Sequence, residues 1–256
     1  MIKFFRNIRK KLVSENRSII RNTNYFKYAL GEIVLVVVGI LIALQINNWN
    51  ENRKEEKILK EYLHKISQNV TQDIEQINGL KIRRDTVYAR ATRSGQALIK
   101  RDFSNIKVIF QGRITFVDFY FIPNNSGFDA LKNSPFLGKI NNTKVDSLLT
   151  LYYSLVEKTR DTEESFNNFI NYTENQLLTN VDMTPIMIFD NNNRQNDESE
   201  NLNEYQDLLP YIQHDAFKAA VFRTIGDRTY IRNYTNLVEY GNALIEEIET
   251  FCNRLN

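Results

Sequence analysis

The chain has 256 residues with only 9 Gly and 4 Pro, so it can bury a sizeable core and contains few residues that interrupt helices. Residues 1–30 carry eight Lys or Arg against one acid, Glu15, whereas the net charge of the whole chain is only +2. This concentration of positive charge at one end excludes a broad basic surface for nucleic acid. The single cysteine, Cys252, excludes an intramolecular disulfide and a cysteine-based zinc site.

The most apolar stretch directly follows the basic end. Residues 33–44 contain ten Leu, Ile or Val side chains, which favour membrane insertion by about 3–6 kcal/mol. A helix over residues 25–49 would extend about 37 Å, and aromatic residues at both of its ends suit the two membrane interfaces. We therefore predict a transmembrane helix at residues 28–49, in preference to a buried core helix, a cleaved signal peptide or a pilin-type anchor.

The positive-inside rule then orients this span. It places the basic segment, residues 1–27, in the cytoplasm and residues 50–256 in the periplasm, with the span in the inner membrane. The lipid bilayer is thus the first predicted partner. The basic residues 2–12 either lie on anionic lipid as an interfacial helix or serve only to set the topology.

One face of the predicted span aligns Glu32, Gly39 and Ala43. The two small residues are four positions apart, a spacing that lets membrane helices approach closely. A second helix on this face would also give Glu32 a hydrogen-bonding environment away from lipid. We predict a weak homodimer through this helix-packing face, with lipid contact as the alternative.

Two sequence blocks resemble a known family. Residues 31–54 read GEIVLVVVGILIALQINNWNENRK, and the chain opens with MIKFFRNIRKKLVSENR. This opening resembles that of an uncharacterised, single-span family of Bacteroidota envelope proteins, known as a domain of unknown function. Residues 127–134 and 148–153 are similar to the family's second recurring block, with Pro135 where the family often has glycine. The resemblance implies membrane anchoring and no activity.

Beyond residue 50, three apolar stripes at helical spacing predict an all-α fold. They run through residues 59–98, 145–177 and 217–255, and Thr143 with Asp146 resembles a capping box before the second. Helices of these lengths, roughly 50–65 Å each, suit an antiparallel bundle of long helices.

Two connections between the stripes are irregular. Residues 102–142 are rich in aromatics, Gly and Pro; we predict that they cap the bundle, with a ligand pocket as the alternative. Residues 190–207 are acidic and rich in Asn, which predicts an exposed, mobile loop. Its alternating Asp190 and Asn192 do not form a calcium loop, because Arg194 holds the next ligand position and the glycine is missing.

The sequence contains no recognisable catalytic, cofactor-binding or metal-binding motif. Its two histidines, His64 and His214, do not lie in any such pattern. The one local charge cluster places Arg83, Arg90 and Arg101 on a common helical face. These side chains could receive an anion or an acidic partner, or pair with acids of a neighbouring helix.

We therefore predict a membrane-anchored periplasmic helical module that binds or scaffolds other envelope proteins and is not an enzyme. No cofactor and no nucleic acid are expected. A ligand-sensing domain that signals through a partner is the first alternative. An envelope enzyme is the second.

Overall fold

A computed structural model describes residues 23–194 and 206–255. Every regular element in these ranges is helical, which confirms the predicted all-α class. The chain divides into two compact units, residues 1–57 and residues 58–256, and each is described by itself. The first long helix, α1 (Thr23–Lys100), contributes to both units.

The described part of the first unit is the apolar start of α1. All side chains from residue 28 to residue 54 are exposed. Its large apolar side chains from Ile33 to Ile46 are each about half exposed, between 47% and 61%. One helix of the described chain is long and apolar enough to cross a membrane, and this segment supplies its apolar window. The predicted long N-terminal apolar helix is thus confirmed.

The second unit is a bundle built on three helices: α1 from Ile58 onward, α4 (Lys144–Asn180) and α8 (Thr229–Arg254). Each contributes a stripe of buried apolar residues, spaced three or four apart, to one core. Burial of this core supplies the main driving force for folding. The predicted helical bundle is confirmed.

Cross-helix contacts give the helix directions. Asp73 contacts Tyr152 and Arg84 contacts Glu163, so α1 and α4 run parallel. Glu163 contacts Tyr234 whereas Lys144 contacts Glu247, so α8 runs antiparallel to α4. Only α8 therefore opposes the other two, because the connection between α1 and α4 carries the chain back along the bundle.

That connection begins with a Schellman-type helix end. Arg101 has a φ of 54°, and the amides of Arg101 and Asp102 donate to the carbonyls of Leu98 and Ala97. Short helical turns follow at 103–105, α2 (Ile106–Phe110) and 111–115. After an extended segment come α3 (Ser126–Lys132) and a turn at 137–140, and the side chain of Thr143 accepts the amide of Asp146 to cap α4.

The third apolar stripe forms two helices, α7 (Asp215–Gly226) and α8, where the sequence predicted one. The backbone is extended at Asp227, and the Asp227 carboxylate accepts the amide of Thr229, which starts the next helix. A local side-chain hydrogen bond thus replaces a helical one.

The far ends of α1 and α4 are covered by a second apolar cluster. It includes residues of α2, α5 (Thr184–Arg194), α6 (Leu209–Gln213) and α7. Residues 190–194, predicted as the start of a loop, form the last turns of α5. Residues 195–205 of that predicted loop lie outside the described residues.

Candidate functional site

The extended segment 116–125, here called the strap, lies between α1 and α4 and is held by side chains that bind its backbone. The amide groups of four strap residues donate to side-chain oxygens of these two helices: Phe119 to Asn167 (3.4 Å), Phe121 to Glu163 (2.7 Å), Ile122 to Gln76 (2.8 Å) and Asn124 to Asp73 (2.8 Å). These bonds satisfy amides that a helix or a sheet would otherwise pair. The strap is thus a strand-like segment whose hydrogen-bonding partners are side chains.

Alternate strap residues face opposite directions, as in a β-strand. Phe119 and Phe121 are buried in the main core, whereas Tyr120 and Ile122 are exposed. The amide group of Asn167 also donates to the carbonyl of Phe119 at 2.9 Å. Together, the side-chain hydrogen bonds and the two buried rings determine the register of the strap.

The buried end of this arrangement centres on Arg84, whose side chain is only 3% exposed. Its Nη2 lies 3.6 Å from Glu163 Oε1, and its Nε donates to the hydroxyl of Tyr234 at 3.1 Å. The Tyr234 hydroxyl in turn donates to Glu163. The guanidinium also lies over the rings of Phe119 (4.7 Å) and Tyr230 (4.6 Å), which replace part of its lost hydration by cation–π contact.

Burial shifts the protonation of the groups around the strap. Burial raises the pKa of Glu163, although the Phe121 amide, Tyr234 and Arg84 all favour its charged form. Burial likewise raises the pKa of Asp73, which the Asn124 amide and the Tyr152 hydroxyl oppose. The Tyr152 hydroxyl donates to Asp73 at 3.0 Å, and burial together with the Asp73 charge raises the pKa of Tyr152.

Asp73→Asn should remove a pH dependence of stability. Folding raises the pKa of Asp73 above its ordinary value of 3.8. Its stabilising contribution to the free energy of unfolding is therefore full below pH 3.8 and is lost as pH rises through the pKa of the folded state. The asparagine oxygen can still accept the Asn124 amide. The unfolding free energy of the variant relative to the native chain should therefore increase with pH above about 4, as measured by urea unfolding at a series of pH values. A difference that falls with pH would contradict the raised pKa.

A separate cleft of about 550 Å³ opens at the far end of the bundle. Its wall combines basic, aromatic and aliphatic side chains with one carboxylate: Arg90, Lys107, Phe110, Gln111, Arg113, Ile114, Phe116, Glu174, Ile186, Phe189 and Tyr211. These residues come from α1, α4, α5, α6 and the connection after α1. The cleft is therefore assembled only when the bundle has folded.

Arg113, a cation of the cleft, is held by several contacts. Its two terminal nitrogens contact both carboxylate oxygens of Asp190, at 2.8 and 2.6 Å. Its guanidinium lies 4.4 Å from the ring centre of Phe110 and 6.0 Å from that of Phe189. A two-point contact with a carboxylate is the geometry in which arginine recognises such anions.

Two other titratable groups of the cleft are desolvated. Burial raises the pKa of Glu174, and the negative charge of Asp118 raises it further. Burial also raises the pKa of Tyr211, so its phenol is protonated at neutral pH. The wall thus presents cations, rings and a partly desolvated carboxylate to whatever enters the cleft.

The structure separates the three arginines of the predicted anion patch. Arg90 is exposed on α1 and lines the cleft. Arg83 is exposed on the same helix but is not a cleft residue, and Arg101 lies beyond the helix end in a left-handed conformation. Only Arg90 of the three therefore belongs to the candidate site.

The predicted helix-packing face lies in the first unit. Glu32, Gly39 and Ala43 are all exposed there, and a Cβ atom added to Gly39 would meet no atom within 4 Å. The face is thus open in a single chain.

Sequence reasoning missed several polar residues of the bundle. Arg84 and Asp73 are three or four positions from buried apolar residues of the same stripe, namely Leu80, Val87, Val70 and Ile77. Charged residues at stripe positions were the signal that could have found them. Arg113 lies on a short helical turn and Tyr211 on the five-residue helix α6, and elements this short carry no such periodic signal.

The described residues contain no group of three or more His, Cys, Asp or Glu side chains arranged to hold a metal ion. No curated protein and no solved structure matches the chain. A family model matches residues 32–161, a stretch that includes most of α1, the strap and the first half of α4. Because this match covers half of the sequence, the chain belongs to that family, a family of unknown function called DUF6090.

Proposed function

We propose that the protein is a single-span membrane protein whose helical bundle acts as a binding or scaffolding module in the periplasm. Membrane anchoring is supported by the exposed apolar part of α1, whose large aliphatic side chains are not buried in any core. Lipid is the environment that would cover such a surface. The resemblance of the opening block to single-span Bacteroidota envelope proteins supports the same proposal.

The proposed orientation rests on charge. Residues 1–30 carry eight cations and one acid, and short flanking segments with excess Lys or Arg remain in the cytoplasm. The bundle, which follows the span in the sequence, would then lie on the periplasmic side of the inner membrane.

A topology reporter tests this proposal. An enzyme that is active only outside the cytoplasm, fused after Asn256, should be active, because the basic flank retains the other end of the span inside. Neutralising five cations of the basic segment should reduce that activity: Lys3, Arg6, Arg9, Lys10 and Lys11. Neutralising five exposed cations of the bundle is the control and should leave the activity unchanged. Activity confined to fusions at the N-terminus would overturn the orientation.

A ligand-sensing domain is the second candidate function. The observation that favours it is the cleft of about 550 Å³, since pockets that hold small molecules measure roughly 300–1,000 Å³. Anchoring and sensing are compatible, because the cleft belongs to the second unit alone.

A further inference from the structure

We propose that the cleft binds a small organic anion, a carboxylate carried by a flat apolar body. This inference rests on the second candidate function, ligand sensing at the cleft, and names the class of ligand. It does not depend on the membrane topology, because all cleft residues belong to the second unit. Three observations support it: the positive charge of the cleft lining, its aromatic side chains and the contacts that Arg113 already makes.

The charge of the cleft favours an anion. Three cations, Arg90, Lys107 and Arg113, line it against one carboxylate, Glu174. The lining itself is therefore net positive, while Asp190, which contacts Arg113, and Asp118, whose charge acts on Glu174, add negative charge beside it. A concave positive surface with low-dielectric walls attracts anionic ligands.

The walls favour a flat apolar body. The ring of Phe110 meets Phe189 edge-on at 5.1 Å and Tyr211 at 5.9 Å between ring centres. Phe116, Ile114 and Ile186 extend this apolar surface. A ligand ring placed here would contact edges and faces of several aromatic side chains, an arrangement that stabilises aromatic pairs.

Arg113 is already arranged for a carboxylate. A guanidinium has five N–H donors, and the contacts with Asp190 use two of the nitrogens that carry them. The carboxylate of Asp190 thus occupies the position at Arg113 that a ligand carboxylate would take. Both side chains remain about one-third exposed, so the ion pair is accessible from solvent. An entering carboxylate would therefore compete with Asp190 for Arg113, while Arg90 and Lys107 supply further positive charge.

Fluorine NMR on the full chain in phosphatidylcholine nanodiscs tests the proposal. The probe is para-trifluoromethylbenzoate, and para-trifluoromethylbenzamide is its neutral counterpart of the same shape. The benzoate signal should broaden in the presence of the protein more than with empty nanodiscs, and the benzamide signal should broaden much less. Equal broadening of the two probes, or no broadening beyond empty nanodiscs, would overturn the proposal.

Four variants assign the effect to the cleft. Arg113→Gln and Arg90→Gln should each weaken benzoate binding, the first by about tenfold, because a charge-assisted hydrogen bond is lost. Asp190→Asn should strengthen binding several-fold, since it removes the competing carboxylate. Arg83→Gln removes an exposed cation from the same helix as Arg90 but outside the cleft, and should have no effect.

The opposite signs expected for Arg113→Gln and Asp190→Asn make the test specific. Both variants break the same ion pair, so a loss of local structure would weaken binding in both. Weaker binding in Asp190→Asn, or unchanged binding in Arg113→Gln, would overturn the competition at Arg113. Circular dichroism of each variant identifies any that fails to fold. In that case the Arg90→Gln variant decides, and unchanged benzoate binding in it would overturn the proposal.

Discussion

Glu163→Ala should destabilise the full chain by about 3–5 kcal/mol, because it leaves the buried guanidinium of Arg84 without its counter-charge. It also removes the acceptor of the Phe121 amide and of the Tyr234 hydroxyl. The measurement is urea unfolding in a mild detergent, followed by circular dichroism. The strap should loosen first, and faster hydrogen exchange of the Phe121 amide would report this.

Two further variants separate the charge effect from a general loss of packing. Glu164→Ala replaces the exposed neighbour on the same helix and should change the unfolding free energy by less than about 0.5 kcal/mol. The double variant Arg84→Met with Glu163→Leu removes both charges and should recover much of the stability lost by Glu163→Ala. A double variant that is less stable than the single one would contradict the buried ion pair as the cause.

Gly127→Ala should destabilise the chain by about 1–3 kcal/mol, because α3 begins in direct contact with the backbone of α1. A Cβ atom at residue 127 would lie 2.9 Å from the backbone nitrogen of Ile66 and 2.8 Å from Asn69 Oδ1. The Gly127 amide also donates to that oxygen at 2.9 Å, so the side chain cannot withdraw without losing a hydrogen bond. Thermal unfolding of the full chain measures the effect.

The matched control is Gly138→Ala, which lies in the same connection. A Cβ atom at residue 138 would meet no atom within 4 Å, and no glycine of the described chain has a positive φ. This variant should therefore keep the native melting temperature. A similar loss in both glycine variants would contradict close contact with α1 as the cause.

The helices could be predicted from the sequence because their apolar residues recur every three or four positions and thereby report which face is buried. The stripe from Leu59 to Leu98 is an example, since its members are buried in the two main clusters. The break within the third stripe could not be predicted in the same way. A single side-chain hydrogen bond at Asp227 starts a new helix there, and periodicity does not register it.

The strap was beyond sequence reasoning for a different reason, and the cleft was anticipated only as the alternative of a ligand pocket in residues 102–142. The amide of Asn124 bonds to Asp73, 51 positions away, and Arg113 bonds to Asp190, 77 positions away. Contacts between such distant residues follow from helix directions, and the parallel course of α1 and α4 is known only once the connection between them has been traced. The prediction of Arg90 as an anion-facing residue came from local charge alone, and the structure places it in the cleft.

The parallel course of α1 and α4 has a consequence for the order in which the protein can fold during synthesis. Tyr152 meets Asp73 across 79 residues, and Tyr234 meets Arg84 across 150. Domains dominated by such distant contacts fold more slowly than simple up-and-down bundles, because long loops must close first. Arg84 therefore emerges early from the ribosome but contacts the rings of Tyr230 and Tyr234 only when α8 has been made. Until then the half-built bundle exposes apolar stripes, and a chain interrupted before residue 229 would be a natural substrate for chaperones and proteases.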